Sequence, residues 1–303
     1  REQIGRRNTG GVGYNEWVNY NFNDKKTGGL FGGGADGTML GNPVSSDMGH
    51  MRPDLLAGLL QAAARNQARG FADMALFEVG PVFHGGEPNE QSLQVAGILV
   101  GRTGPKDVHG ASRPVDLFDA KADVEAVLAA LGAPAKVQIL RDGATWWHPG
   151  RHGRICLGPK KMMAVFGEIH PKVLAEMDVK GPAVGFCIWP QDIPMPRNAS
   201  STRAALNIND LQAVERDFAF VVESSVEALT LINAASGADK ALIEDVRVFD
   251  EFIGGSLGEG KKSIALTVRL QPADATLKEK EIEAVAAKIV EKVTKATGGI
   301  LRG

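Results

Sequence analysis

The last hundred residues follow an order of strands and helices that few folds can accommodate. Apolar and polar residues alternate in two stretches, which predicts strands that bury one face. The predicted elements are a strand at 216–222, a helix at 226–235, strands at 243–252 and 262–270, a helix at 277–294 and a strand from 300. Thr276 is the expected N-cap of the long helix, with Glu279 as its capping-box partner. The order βαββαβ is that of a ferredoxin-like domain, with both helices on one face of the sheet.

The other face of that sheet is predicted to be open. Counting by two along the strands places Phe218 and Ile264 inside, and therefore assigns Ala219 and Ser263 to the open face. Small and polar side chains suit a surface that accepts a flat ligand, and they equally suit an ordinary solvated face. The pattern alone leaves both interpretations open.

The preceding residues predict a mixed α+β domain built on one sheet. Amphipathic helices are expected at 54–67 and 121–131, and strands at 74–80, 93–100, 163–166 and 183–189. Prolines and small polar residues between 190 and 209 indicate a linker. The predicted organisation is a first domain at 1–196, a linker at 197–205 and a second domain at 206–303.

Composition fits an intracellular globular protein. The 303 residues are 44% hydrophobic and 23% charged, and no apolar run is long enough to span a membrane. Two cysteines, Cys156 and Cys187, are too few for a disulfide framework or a four-cysteine zinc site. Residues 207–303 carry 12 Lys+Arg against 16 Asp+Glu, a net charge of −4, which argues mildly against RNA binding. The first residue is Arg rather than Met, so we expect a piece of a longer protein.

Residues that bear catalytic chemistry form no recognisable site. His148 and His152 have helical metal-ligand spacing, but Pro149 and Gly150 between them predict a loop rather than a helix. No nucleophile elbow is present, and Glu78, inside an apolar strand, is expected to pair with Arg52 or Arg65. The glycine-rich stretch 28–41 lacks the Gly-Lys-Ser/Thr ending of a phosphate-binding loop and predicts a flexible connection. We therefore predict no catalytic and no metal-binding residues in this chain.

Several short sequence motifs together indicate a family resemblance. In the first domain they are GYNEWVNYNF at 13–22, NPVS at 42–45, MRPDLL at 51–56, LFEVGPVF at 76–83, HPGR at 148–151 and GEIHPKVL at 167–174. In the second domain they are ERDFAF at 215–220, VFDEF at 248–252, GKKSIAL at 260–266 and LRG at 301–303. In this order and spacing, the sequence resembles the C-terminal portion of the bacterial phenylalanyl-tRNA synthetase beta subunit family.

The resemblance implies that the first domain is a class II synthetase-like core that has lost catalysis. Class II cores hold ATP with the arginine of an Arg-x-Glu strand, and the best match here reads Leu76-Phe77-Glu78, without that cation. The family places ATP, Mg²⁺ and phenylalanine on the alpha subunit, in a cytoplasmic assembly of two alpha and two beta subunits. This fragment is then expected to bind no cofactor itself and to pack against the alpha subunit.

The resemblance also implies that the second domain binds the anticodon of tRNA-Phe on its open sheet face. Carried over position by position, the contacts are Ala219, Asp250, Phe252 and Ser263. Phe252 stands where the family usually has tyrosine, which removes a hydroxyl and keeps the stacking plane. Two alternatives stay open: an RNA- or protein-interaction scaffold that reuses both folds without aminoacylation, and an enzyme with an unrecognised site in the first domain.

Overall fold

The computed structural model describes residues 1–105, 107–108, 110–195, 205 and 209–302. The chain divides into two compact units, Arg1–Ser200 and Ser201–Gly303, which we call unit 1 and unit 2. Within the described residues, no helix is both long and apolar enough to cross a membrane. The predicted linker 197–205 lies, apart from residue 205, outside the described residues, so its bounds stay a prediction.

Unit 1 is built on a seven-stranded sheet. Its helices are α1 (Glu2–Gly11), α2 (Lys25–Leu30), α3 (Leu56–Gln67), α4 (Leu117–Ala130) and α5 (Pro171–Glu176). Its strands are β1 (Asn15–Glu16), β2 (Phe22–Asn23), β3 (His50–Met51), β4 (Met74–Phe83), β5 (Gln91–Val100), β6 (Gln138–Leu140), β7 (Trp147–Leu157), β8 (Lys161–Ile169) and β9 (Ala183–Ile188). The order in the large sheet is β1-β4-β5-β9-β8-β7-β6, antiparallel except for the β1–β4 pair, while β2 and β3 pair separately.

Both faces of the large sheet in unit 1 are covered. Along β4, Leu76 joins an apolar cluster that contains α3, whereas its neighbour Phe77 joins a second cluster that contains α4. Val95 and Ala96 on β5 divide in the same way, since successive strand residues point to opposite faces. The sheet is therefore the middle layer of three, and its interior strand β5 is as apolar as its sequence predicted.

Two expectations for unit 1 need correction. His148 and His152 lie in strand β7 rather than in a loop, and Pro149 and Gly150 fall where the register with β8 is irregular. A strand tolerates proline at such a point because no regular ladder hydrogen bond is needed there. In the glycine-rich stretch expected to be a flexible connection, α2 and a short 3₁₀ helix, Asp36–Thr38, are ordered.

Unit 2 has the predicted βαββαβ order. Its elements are β10 (Val214–Glu223), α6 (Ala228–Ser236), β11 (Ile243–Phe252), β12 (Lys261–Leu270), α7 (Glu279–Thr297) and β13 (Ile300–Leu301), and the sheet order is β11-β12-β10-β13. One apolar cluster joins the two helices to inward residues such as Phe220 and Leu266. The α+β fold class, with an antiparallel sheet and helices followed by a ferredoxin-like domain, is confirmed.

The cap of α7 is not the expected one. The N-cap is Lys278, whose backbone N–H donates to the Glu281 carboxylate at 2.7 Å, and the helix starts after Thr276. At the other end Gly298 adopts a left-handed conformation with φ 67°, which suits glycine and ends the helix before β13.

Candidate nucleic-acid interface

A β-bulge in β11 decides which side chains reach the open face of unit 2. Before the bulge, Val246 and Val248 pair with Val268 and Leu266, which point into the core. The register shifts between Val248 and Asp250, so that one extra residue is accommodated. Beyond that shift the alternation is reversed, so that Asp250 and Phe252 present their side chains to the open face.

The register then brings the four predicted contact residues together. Asp250 and Ala219 are both partners of Ala265 on the central strand β12, one from each side. Phe252 is the direct partner of Ser263, one step further along the same face. The four positions, taken from strands distant in sequence, form one contiguous patch at one end of the sheet.

Within this patch, the four side chains are not equally accessible. Phe252 is 43% exposed and Asp250 is also exposed, so that parts of a ring and a carboxylate face solvent. Ser263 lies on the expected face but is only 5% exposed. Ser263 therefore offers a ligand much less surface than Phe252.

Arg302 is a further residue of the patch that the sequence did not single out. Its backbone N–H donates to the Ala219 carbonyl at 2.7 Å, which extends β13 alongside β10. Its guanidinium carbon lies 5.9 Å from the centroid of the Phe252 ring, a cation–π arrangement. Among residues 209–302, Arg302 forms no ion pair. In the sequence, Arg302 was indicated only as part of the LRG motif at 301–303.

Gly254 supports the Phe252 ring from the adjoining loop. A Cβ atom added at Gly254 would lie 2.5 Å from Cζ of Phe252, closer than real Cβ contacts allow. The glycine therefore lets the loop pass close to the ring, and it fixes where the exposed aromatic surface lies.

The opposite end of the same face is neutralised by ion pairs. Arg269 donates from Nε to Glu244 at 2.7 Å and also lies 3.7 Å from Glu215. Arg247 pairs with Glu215 and Asp245 at 3.6 and 3.4 Å. Cations at this end have carboxylate partners, whereas the Phe252 end offers an exposed ring with the guanidinium of Arg302 over it.

In unit 1 the residues considered for chemistry have structural partners. Arg52 and Glu78 form an ion pair of 2.6 Å with both side chains 4% exposed, as expected from the sequence, and Asn19 donates a further hydrogen bond of 2.7 Å to Glu78. His170 caps α5 by accepting from the Lys172 backbone. Among the described residues, no group of three or more His, Cys, Asp or Glu side chains is arranged to hold a metal ion.

Known proteins resemble the chain over its whole length. The family model "Phenylalanyl tRNA synthetase beta chain CLM domain" matches residues 2–188, and "Ferredoxin-fold anticodon binding domain" matches residues 210–302. Phenylalanine--tRNA ligase beta subunits from Ruegeria pomeroyi and Cereibacter sphaeroides are 75% and 64% identical over all of this chain. Among solved structures, a Desulfitobacterium hafniense pyrrolysyl tRNA synthetase aligns over 63% of each chain with 12% identity and a TM-score of 0.47. The chain spans 38% of the length of those two curated relatives. It belongs to the phenylalanyl-tRNA synthetase beta-chain family, with a ferredoxin-fold anticodon-binding domain as its second unit.

Proposed function

We propose that this chain is a non-catalytic part of phenylalanine-tRNA ligase and that unit 2 reads the anticodon of tRNA-Phe. The single observation that carries this proposal is the patch formed by Ala219, Asp250, Phe252, Ser263 and Arg302 on an otherwise neutralised sheet face. Unpaired bases are bound by stacking on aromatic rings and by hydrogen bonds to their edges. The patch supplies both kinds of contact side by side.

Binding of a base requires a rearrangement of Arg302. At 5.9 Å from the ring centroid, the guanidinium leaves too little room for a base between itself and Phe252. A base that stacks on the ring displaces the guanidinium outward, which frees its donors for a phosphate. The exposed Asp250 carboxylate then accepts from an amino or imino group on the edge of the base, and Ser263 lies beside Phe252 on the same face.

The experiment that tests this proposal measures the affinity of the 303-residue chain for a fluorescent tRNA-Phe anticodon stem-loop by anisotropy. Phe252→Leu keeps an apolar side chain but removes the stacking plane. Because stacking contributes roughly 1–3 kcal/mol per base, the dissociation constant is expected to rise about 5- to 150-fold. Phe249→Leu, on the same strand and also exposed, is the matched control and should change affinity little. Equal losses in both variants would contradict the proposal.

We further propose that unit 1 packs against the catalytic alpha subunit. A groove of about 750 Å³ beside β2 and α3 is flanked by Val18 and Tyr20, which is 72% exposed. The buried amide of Asn23 also lines the groove and has no hydrogen-bond partner among the described residues. Exposed apolar residues beside an unsatisfied buried amide are typical of a surface that a partner chain covers.

The roles of the two chains then divide as the family resemblance implies. The alpha subunit binds ATP, Mg²⁺ and phenylalanine in a cytoplasmic assembly of two alpha and two beta subunits. Co-purification with the alpha subunit tests whether the groove binds that subunit. Tyr20→Glu should abolish co-purification, whereas Val44→Glu, at another exposed apolar position, should not.

The alternative function is an interaction scaffold without a role in aminoacylation. The two proposals differ in one readout of the assembled enzyme. If the chain reads the anticodon, Phe252→Leu lowers kcat/KM for tRNA-Phe and leaves ATP-dependent phenylalanine activation unchanged. An unchanged kcat/KM for tRNA would favour the scaffold.

A further inference from the structure

Unit 1 contains a second cavity, of about 440 Å³, that neither proposed binding function uses. Three of the four tryptophans of the chain, Trp146, Trp147 and Trp189, line it together with Phe31. Phe31 and Trp146 are in contact, with ring centroids 6.0 Å apart, and a Cβ at Gly32 would lie 3.3 Å from the Trp146 ring. The wall is therefore an aromatic enclosure packed against the glycine-rich stretch.

A buried carboxyl group also borders the cavity. Asp54 is 4% exposed, and its oxygens accept hydrogen bonds from the Leu56 backbone at 2.8 Å and from the Gln94 amide at 3.0 Å. The Cys187 thiol lies 3.6 Å from one of these oxygens. Among the described residues, no cation lies within salt-bridge distance of Asp54. The carboxyl group is thus held in place by neutral donors and lacks a counter-ion.

Four further side chains with polar groups, those of Trp146, Arg154, Asp142 and His84, line the cavity. The indole N–H of Trp146 is buried and has no hydrogen-bond partner among the described residues. Arg154, on the rim, donates to Asp142 through both Nε and Nη2, so its charge is already compensated. His84, at the mouth, lies 3.2 Å from the Ser92 hydroxyl.

We propose that this cavity binds a small organic ammonium ion with an aromatic body. Indole and phenyl faces attract cations and stack on flat apolar groups, and the Asp54 carboxylate supplies the counter-ion. The unpartnered Trp146 N–H offers one donor to an acceptor on the ligand. An anionic ligand such as a phosphate ester is disfavoured, because the carboxyl repels it and Arg154 is occupied by Asp142.

Burial raises the pKa of the Asp54 carboxyl, whereas the nearby His84 and the hydrogen bonds from Leu56 and Gln94 act in the opposite direction. A bound ammonium group favours the ionised carboxylate and competes with its proton. The cavity is therefore suited to a cation in a way that an apolar pocket of the same size is not.

The probe that tests the proposal is 2-phenylethylamine, titrated into the 303-residue chain without an alpha subunit. We expect saturable changes in tryptophan fluorescence and a shift of the Trp146 indole N–H resonance by NMR at up to about 10 mM, as befits a fragment-sized ligand. 2-Phenylethanol, which has the same body without the charge, should bind at least tenfold more weakly.

Two variants distinguish the effect of losing the Asp54 carboxyl group from the effect of misfolding. Asp54→Asn is nearly isosteric and should weaken amine binding at least tenfold, whereas Asp47→Asn, away from this cavity, should not. Met162→Trp, at another lining position, keeps Asp54 and fills part of the cavity, so it should abolish binding and serves as the test if Asp54→Asn does not fold. Absence of saturable binding, equal affinity for the alcohol, or full binding by folded Asp54→Asn would each overturn the proposal.

Discussion

The two sheets of this chain differ in how many of their faces are covered, and this difference decides which sheet leaves a face free for a flat ligand. In unit 1, alternate residues of β4 and β5 belong to two apolar clusters, one on each face, so both faces of the sheet are covered. In unit 2, one cluster with α6 and α7 covers one face, and the other stays open. A flat ligand such as a base needs the second arrangement.

One ion pair of unit 1 is buried, unlike the ion pairs on the open face of unit 2. The Arg52–Glu78 pair is enclosed within unit 1 and binds nothing but its neighbours, whereas the acid and base side chains of unit 2 lie on its surface. Substitutions at the buried Arg52–Glu78 pair should therefore act on stability, and substitutions on the open face of unit 2 should act on RNA affinity.

The largest expected effect comes from Glu78→Gln, which leaves the Arg52 guanidinium buried without a counter-ion. We expect the free energy of unfolding of unit 1 to fall by about 3–5 kcal/mol. Urea unfolding followed by tryptophan fluorescence measures unit 1 specifically, since all four tryptophans lie there. The control is Glu168→Gln, whose exposed partner Arg151 makes a surface pair with a contribution below about 1 kcal/mol. A loss under 1 kcal/mol for Glu78→Gln would refute the structural role of the pair.

A smaller effect is expected from Gly254→Ala on the open face. The added methyl group would overlap Phe252 and must push the ring away, because its Cβ would lie 2.5 Å from Cζ. The affinity of the chain for the anticodon stem-loop should fall about fivefold, or about 1 kcal/mol. Gly255→Ala is the matched control, since a Cβ there meets nothing within 4 Å. Similar affinities for the two variants would mean that the ring position does not matter.

The smallest effect is expected from Arg302→Gln. If Arg302 meets a phosphate once a base has displaced it, the slope of log affinity against log salt should become shallower by about 0.7, the value for one contact with single-stranded nucleic acid. Arg269→Gln removes a cation that is already paired with Glu244, so its slope should match that of the parent chain. A slope unaffected by Arg302→Gln would place the phosphate contact elsewhere.

The sequence predicted the order of elements well where hydrophobic periodicity was strong. The bounds predicted for β11 agree with the structure, and so does the partner of Glu78, because an acid in an apolar strand needs a nearby cation. The prediction from sequence was wrong at β7, where Pro149 and Gly150 indicated a loop. In the structure they lie at a register irregularity within the strand. The prediction of Thr276 as the N-cap was wrong, because Lys278 is the N-cap and its backbone N–H donates to the Glu281 carboxylate.

The site itself was only partly predictable. Period-2 counting put Ala219 and Ser263 on the open face, but the same counting along β11 would turn Asp250 and Phe252 inward beside Val248. Family resemblance named those two residues, and the bulge supplies the physical reason that they reach the face. The burial of Ser263 and the contact between Arg302 and Phe252 depend on tertiary packing, which no local pattern encodes.

The most direct test of the central claim is an NMR titration of the 303-residue chain with the tRNA-Phe anticodon stem-loop at low salt. A stem-loop with the first anticodon base changed is the control. If the open face of unit 2 reads bases, amide shifts for the cognate loop alone will cluster at Ala219, Asp250, Phe252, Ser263 and Arg302. Equal shifts from both loops, or shifts confined to other surfaces, would contradict the account.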